Sequence, residues 1–216
     1  MKYILVHGLG QGPEAWDAVA QKLEIGSEAE VVLPNLFSLI AKDDMTYEKM
    51  YRAFETYCKG IYDATEGEQL NFVGLSLGGL LTLQFAAEHP EMVRSLVVIG
   101  TQVKMPRMMM NLQNVLFRFL PAKSFAQLGM PKKDVIGFTK SAKKLDLSEE
   151  VERITCPTFV VIGEKDSVNM KSAMFLRDKI STSDIMIIEG AGHQVNTEEP
   201  AALAEAINGF YKNLGV

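Results

Sequence analysis

Leu70-Asn71-Phe72-Val73-Gly74-Leu75-Ser76-Leu77-Gly78-Gly79 decides the fold of this chain. It joins a short apolar run, Leu70–Val73, to a mostly apolar stretch of helical length, Leu77–Glu88. A serine in G-x-S-x-G between a strand and a helix sits on a turn so sharp that its own backbone is strained. Small residues two before and two after it, here Gly74 and Gly78, let the chain pass. The hydroxyl then projects past the C-terminal end of the strand. The Leu77 N–H, at the helix N-terminus, lies where an oxyanion would be stabilised. Ser76 is therefore the candidate nucleophile.

Outward from this turn, the chain alternates. Apolar runs rich in Val and Ile recur at Tyr3–Val6, Glu30–Leu33, Ser95–Ile99, Thr158–Ile162 and Ile185–Ile188. Most are apolar throughout, the pattern of parallel strands covered on both faces. Helical periodicity fills the gaps at Glu14–Leu23, Thr46–Ala64, Met170–Ile180 and Pro200–Leu214. Such alternation predicts a parallel α/β sheet with right-handed crossovers. Val103–Glu150 breaks it, with no clear strand and nine Lys and Arg against four acids. It reads as a helical insertion of net charge +5, which leaves −10 for the rest of a chain whose overall charge is −5.

A serine nucleophile needs a base, and the base an acid to hold it. His193, in Gly190-Ala191-Gly192-His193 after the last apolar run, is placed to reach over the sheet. His89 ends a helix before Pro90, a structural position for a cation. His7 follows the first run. Asp166 lies just past Thr158–Ile162, at the same ends of the strands as Ser76. Glu164, Asp184 and Glu189 are rival acids; Asp184 begins a strand, at the opposite end, and Glu164 is the serious competitor. The order Ser76, Asp166, His193 is that of one known hydrolase class.

With these motifs in place the sequence resembles the α/β-hydrolase family. The likeness rests on His7-Gly8-Leu9-Gly10 with Trp16, the turn at Ser76, Gly163-Glu164-Lys165-Asp166, and Gly190-Ala191-Gly192-His193 followed by Glu199-Pro200. It implies that His7 shapes an oxyanion loop and that the Leu9 N–H joins that of Leu77. It also implies that the insertion, about residues 103–150, is a small helical lid on a single domain spanning residues 1–216. The family usually carries two further strands before the first one here, so a mostly parallel sheet of about six strands, with helices on both faces, is expected. After Leu33 the chain reads Pro34-Asn35-Leu36-Phe37, unlike the Asp-Leu-Pro-Gly form common in relatives.

Composition excludes other classes. The chain has 216 residues, 47% apolar and 23% charged, enough for a full core and unlike a disordered chain. No apolar run approaches the ~20 residues of a membrane span. The apolar stretch after Lys2 is shorter than the roughly 7–15 residues of a signal peptide. Cys58 and Cys156 are far apart, so two free thiols in a reducing cytoplasm are expected. A net acidic chain is a poor binder of nucleic acid, and no zinc spacing occurs. Gly8-Leu9-Gly10-Gln11-Gly12 is GxGxG rather than GxGxxG, and no acid ends the next strand, so no dinucleotide is expected.

The expected activity is cofactor-free, metal-free hydrolysis of a small-molecule carboxylic ester through an acyl-enzyme. The same three residues serve thioesters and hydrolytic carbon–carbon cleavage, and a non-catalytic binding protein on this fold is the contrasting class. Arg107–Leu120 is apolar around more than one helical stripe. A wall of Met108, Met109, Leu112, Leu116 and Phe117 is expected to take an apolar acyl group, Met being adaptable.

Overall fold

The computed structural model describes residues 1–40, 45–105 and 131–215. Six strands, β1 (Lys2–Val6), β2 (Glu30–Val32), β3 (Leu70–Leu75), β4 (Val93–Ile99), β5 (Thr158–Gly163) and β6 (Ser183–Ile188), form one sheet in the order β2-β1-β3-β4-β5-β6. Every pairing is parallel. All six expected strands are present, and the α/β-hydrolase architecture is that anticipated.

The alternation of side chains along each central strand divides the core. Ile4, Val6, Phe72, Leu96, Val98, Val160 and Ile162 face one way. They pack under α2 (Tyr47–Ala64), α3 (Leu77–Glu88), α4 (Lys132–Ala142) and α5 (Met170–Lys179). Tyr3, Leu5, Val73, Leu75, Val97, Ile99 and Val161 face the other way. They pack against α1 (Asp17–Ala20), α6 (Val195–Glu198) and α7 (Pro200–Asn213). Apolar runs were needed because both faces are buried. The helix expected at Glu14–Leu23 is a 3₁₀ turn, Pro13–Trp16, followed by the single turn α1.

One expectation of full coverage fails. β6 lies at the end of the sheet, and Met186 and Ile187 are 42% and 48% exposed. A terminal strand has one neighbour and fewer helices over it, so an apolar run there is not proof of burial. At the other end, β2 is similarly half-exposed.

The segment between β4 and β5 is closed at its base. Lys104 and Asp146 form an antiparallel bridge, and the Leu147 N–H donates to the Val103 carbonyl at 3.0 Å. From α4, Val135, Phe138 and Ala142 enter the core. The wall residues Met108, Met109, Leu112, Leu116 and Phe117 lie outside the described residues.

Far from Ser76, α2 and α3 are tied by a charge cluster around the buried Glu55, with Arg52 and Lys59 on its exposed side. Glu55 accepts hydrogen bonds from Lys59 at 2.8 Å, Arg52 at 2.9 Å and the His89 Nε2 at 2.9 Å. Burial alone would raise the Glu55 pKa, but these three donors outweigh it and hold it at about 2, from an ordinary 4.5. A depressed carboxylate stabilises the fold above its unfolded pKa and ceases to do so as pH falls through the folded one. Glu55→Gln is therefore expected to lose roughly 1–3 kcal/mol at pH 7. In urea unfolding the gap to wild type should narrow below pH 4.5 and close near pH 2.

Candidate active site

Because all strands are parallel, their C-terminal ends share one rim. The chain reverses its direction of travel across the sheet between β1 and β3, where ligands of open α/β sheets bind. His7-Gly8 follows β1 and Ser76 follows β3 at this point. Gly100, Asp166 and His193 follow β4, β5 and β6 along the same rim.

Ser76 has φ 53° and ψ −109°, a conformation a non-glycine residue adopts at a cost of about 1–3 kcal/mol. The strain is held in place by two backbone bonds. The Ser76 N–H donates to the Ile99 carbonyl at 2.8 Å, and its own carbonyl accepts from the Leu80 N–H at 2.9 Å. The glycines around it are sterically required. A Cβ on Gly74 would lie 2.6 Å from the Gly79 backbone, and one on Gly78 would strike the Val6 carbonyl. The Leu77 N–H opens α3 and, like that of Leu9, has no backbone acceptor among the described residues.

The structure brings Asp166 and His193 together. Nδ1 of His193 donates to Oδ2 of Asp166 at 2.7 Å. The Asp166 side chain is 4% exposed and that of His193 42%. Glu164 takes a different partner: its Oε2 accepts from the Gly190 N–H at 3.0 Å. Asp184 stands within β6, paired in register with Phe159, away from the rim. The acid and histidine loops are zipped by the Lys165 N–H on the Ala191 carbonyl at 2.9 Å and the Glu164 N–H on the Ile188 carbonyl at 2.9 Å.

His7 stands apart. Its Nε2 accepts from the Leu36 N–H at 3.2 Å, so Nδ1 carries the proton and donates to the Gly8 carbonyl at 2.9 Å. Burial lowers its pKa, opposed by the Gly8 bond. A neutral ring bonded at both nitrogens to backbone holds a loop and has no proton to exchange with a substrate.

Two partners of the acid were not foreseen. The Asn169 Nδ2 lies 2.9 Å and 2.8 Å from the two Asp166 oxygens, and the Asn169 N–H donates to Oδ1 at 3.3 Å. The only sequence signal was an asparagine three residues after the acid, at the start of a helix. Gly100, at φ 54°, lies against the pair; a Cβ there would sit 3.1 Å from both Asp166 Oδ2 and His193 Nδ1. Any side chain would crowd the imidazole.

Ser76, Leu77, Leu9, Asp166 and His193 line one cavity of about 440 Å³. Leu80, Met105, Phe138, Ala142 and Val168 supply its apolar walls, with Gln102, Thr139 and Asn169 as polar points. Apart from His193 and Asp166 its described lining carries no ionisable group.

Among the described residues, one trio, Glu55, Glu88 and His89, has ligand atoms close enough for a metal. Its charges are already answered by Arg52 and Lys59 on Glu55 and by the Tyr51 hydroxyl on Glu88 at 2.6 Å. It sits at the far end of α3 from Ser76. No described helix is long and apolar enough to cross a membrane. Cys58 and Cys156 are both free and buried.

Known proteins share this fold. Residues 4–130 match the family profile of the alpha/beta hydrolase fold. A 2-hydroxymuconate semialdehyde hydrolase of Pseudomonas sp. (strain CF600) is 31% identical over 102 residues, 45% of this chain; the match spans only 35% of that protein. A pimeloyl-[acyl-carrier protein] methyl ester esterase of Salmonella newport (strain SL254) is 24% identical over 250 aligned positions, covering 94% of this chain and 91% of that one. Among solved structures, a thermophilic esterase from Thermogutta terrifontis superposes with a TM-score of 0.80 at 19% identity, over 100% of this chain and 91% of that one. The sheet, the rim and the profile across more than half of the sequence together show that this chain belongs to the alpha/beta hydrolase family.

Proposed function

We propose that this protein is a serine hydrolase of neutral carboxylic esters with an apolar acyl part, working through an acyl-enzyme. The observation that carries it is the strained Ser76 opening into the same apolar cavity as the His193–Asp166 pair. Ser76 attacks the acyl carbon while Nε2 of His193 takes its proton. Asp166, held by Asn169, keeps the imidazole proton on Nδ1 and stabilises the imidazolium. The N–H groups of Leu77 and Leu9 receive the oxyanion. His193 returns its proton to the leaving alcohol, then activates the water that frees the acid. No step needs a metal or cofactor. The segment between β4 and β5 acts as a lid over the cavity of a single domain.

Hydrolysis of 2-hydroxymuconate semialdehyde, which has no ester, must cleave a carbon–carbon bond, so that relative supports a second reading. Its substrate also bears a carboxylate. The apolar walls formed by Leu80, Met105, Phe138, Ala142 and Val168 suit an apolar acyl group better than such a charge, which favours an ester.

A fluorophosphonate probe should label Ser76, and neutral p-nitrophenyl esters should be turned over, hexanoate better than acetate. Val168, 60% exposed at the cavity, offers a variant that leaves the fold alone. Val168→Asp should raise KM for the hexanoate about tenfold or more and leave the acetate within twofold. A protein that ignores the probe and the esters but cleaves a dienoate would overturn the ester reading.

A further inference from the structure

A backbone donor serves an oxyanion only if its loop is held still relative to nucleophile and base. The loop carrying Leu9 has a left-handed Gly10, at φ 84°, and no strand pairing of its own. Gln11 grips it twice. Its N–H donates to the Gly8 carbonyl at 3.2 Å, and its Oε1 accepts from the Gly8 N–H at 3.3 Å.

The same amide reaches across the molecule to Asn196, 185 positions away, in a reciprocal pair. Gln11 Nε2 donates to Asn196 Oδ1 at 3.1 Å, and Asn196 Nδ2 donates to Gln11 Oε1 at 3.2 Å. Asn196 is fully buried, and its second amide proton goes to the Ala15 carbonyl at 3.1 Å. Backbone groups fix both amide orientations. The Gly8 N–H can meet only an oxygen, and the Ala15 carbonyl can meet only an N–H.

Asn196 is three residues past His193, in α6. The chain between them is braced by Glu198, whose carboxylate accepts from the N–H groups of Gly192 and Gln194 on either side of His193. A shift of Asn196 therefore carries the imidazole with it. We propose that Gln11 and Asn196 are positioning residues whose amide pair fixes the Leu9 N–H relative to the His193 imidazole. The oxyanion donor and the base then meet the tetrahedral intermediate in register. The inference rests on the acyl-enzyme reading above.

The test uses Gln11→Ala, Asn196→Ala and the double variant, with p-nitrophenyl acetate, an ester too small to depend on the acyl walls. Each single change should lower kcat about 10–100-fold, the scale of an ångström of misplacement, with KM within threefold. The double variant should be no worse than Gln11→Ala alone, which already breaks the pair and releases the Gly8 N–H. Phosphonylation of Ser76 by the fluorophosphonate should slow in parallel, since its phosphoryl oxygen uses the same donors. Circular dichroism and thermal melting verify folding. If the buried Asn196→Ala fails to fold, the half-exposed Gln11→Ala decides alone. Folded variants with kcat within twofold of wild type, or with losses that multiply in the double variant, overturn the proposal. A labelled wild type with unaffected variants overturns this inference alone; an unlabelled wild type overturns the acyl-enzyme reading and this inference with it.

Discussion

Ser76→Ala is expected to reduce ester turnover by about 10⁶-fold in kcat, the loss seen when a triad nucleophile is removed. Stability should hardly change. Alanine meets the same steric cost at φ 53° as serine does, and both backbone bonds of residue 76 survive. What disappears is the one oxygen that can form the acyl-enzyme. Initial rates with p-nitrophenyl butyrate, beside urea midpoints for both proteins, measure the two quantities. A folded variant retaining a hundredth of wild-type kcat would mean that the acyl group never sits on Ser76.

Asp166→Asn should cost about 10⁴-fold in kcat. The carboxylate accepts from His193 Nδ1 and from Asn169. An amide at this position presents an NH₂ to one of those donors. The relief is for its Nδ2 to donate to His193 Nδ1, which drives the imidazole proton to Nε2. That nitrogen must be bare to accept the proton of Ser76, so the wrong tautomer removes the base. Glu164→Gln is the control. Among the described residues its oxygen meets the Gly190 N–H alone, and an amide oxygen can accept that bond, so the loss should stay under about tenfold. If Glu164→Gln is the more damaging change, the acid is Glu164.

The turn at Ser76 was legible because its causes are local. Two glycines at fixed spacing and a switch from strand to helix periodicity lie within ten residues. The clashes that a Cβ would make at Gly74 and Gly78 show why nothing larger stands there. The central strands were legible for a similar reason. A strand covered on both faces must be apolar at every position, and Leu70–Leu75 and Thr158–Gly163 are buried throughout. The same rule misread Ile185–Ile188, because exposure at the end of a sheet depends on which strands pair, and composition does not state that.

The sequence by itself determined the alternation of strands and helices, the strained serine, and the loops that carry an acid and a histidine to one rim. Each follows from periodicity or steric demand over a few neighbours. Tertiary structure alone decided which acid faces His193, since Glu164 and Asp166 share one short loop and differ only in the direction imposed by bonds to residues 188–191. It alone also paired Gln11 with Asn196 and set Gly100 against the imidazole. Contacts between residues far apart in the chain arise from the packing of whole layers, and no local pattern encodes them.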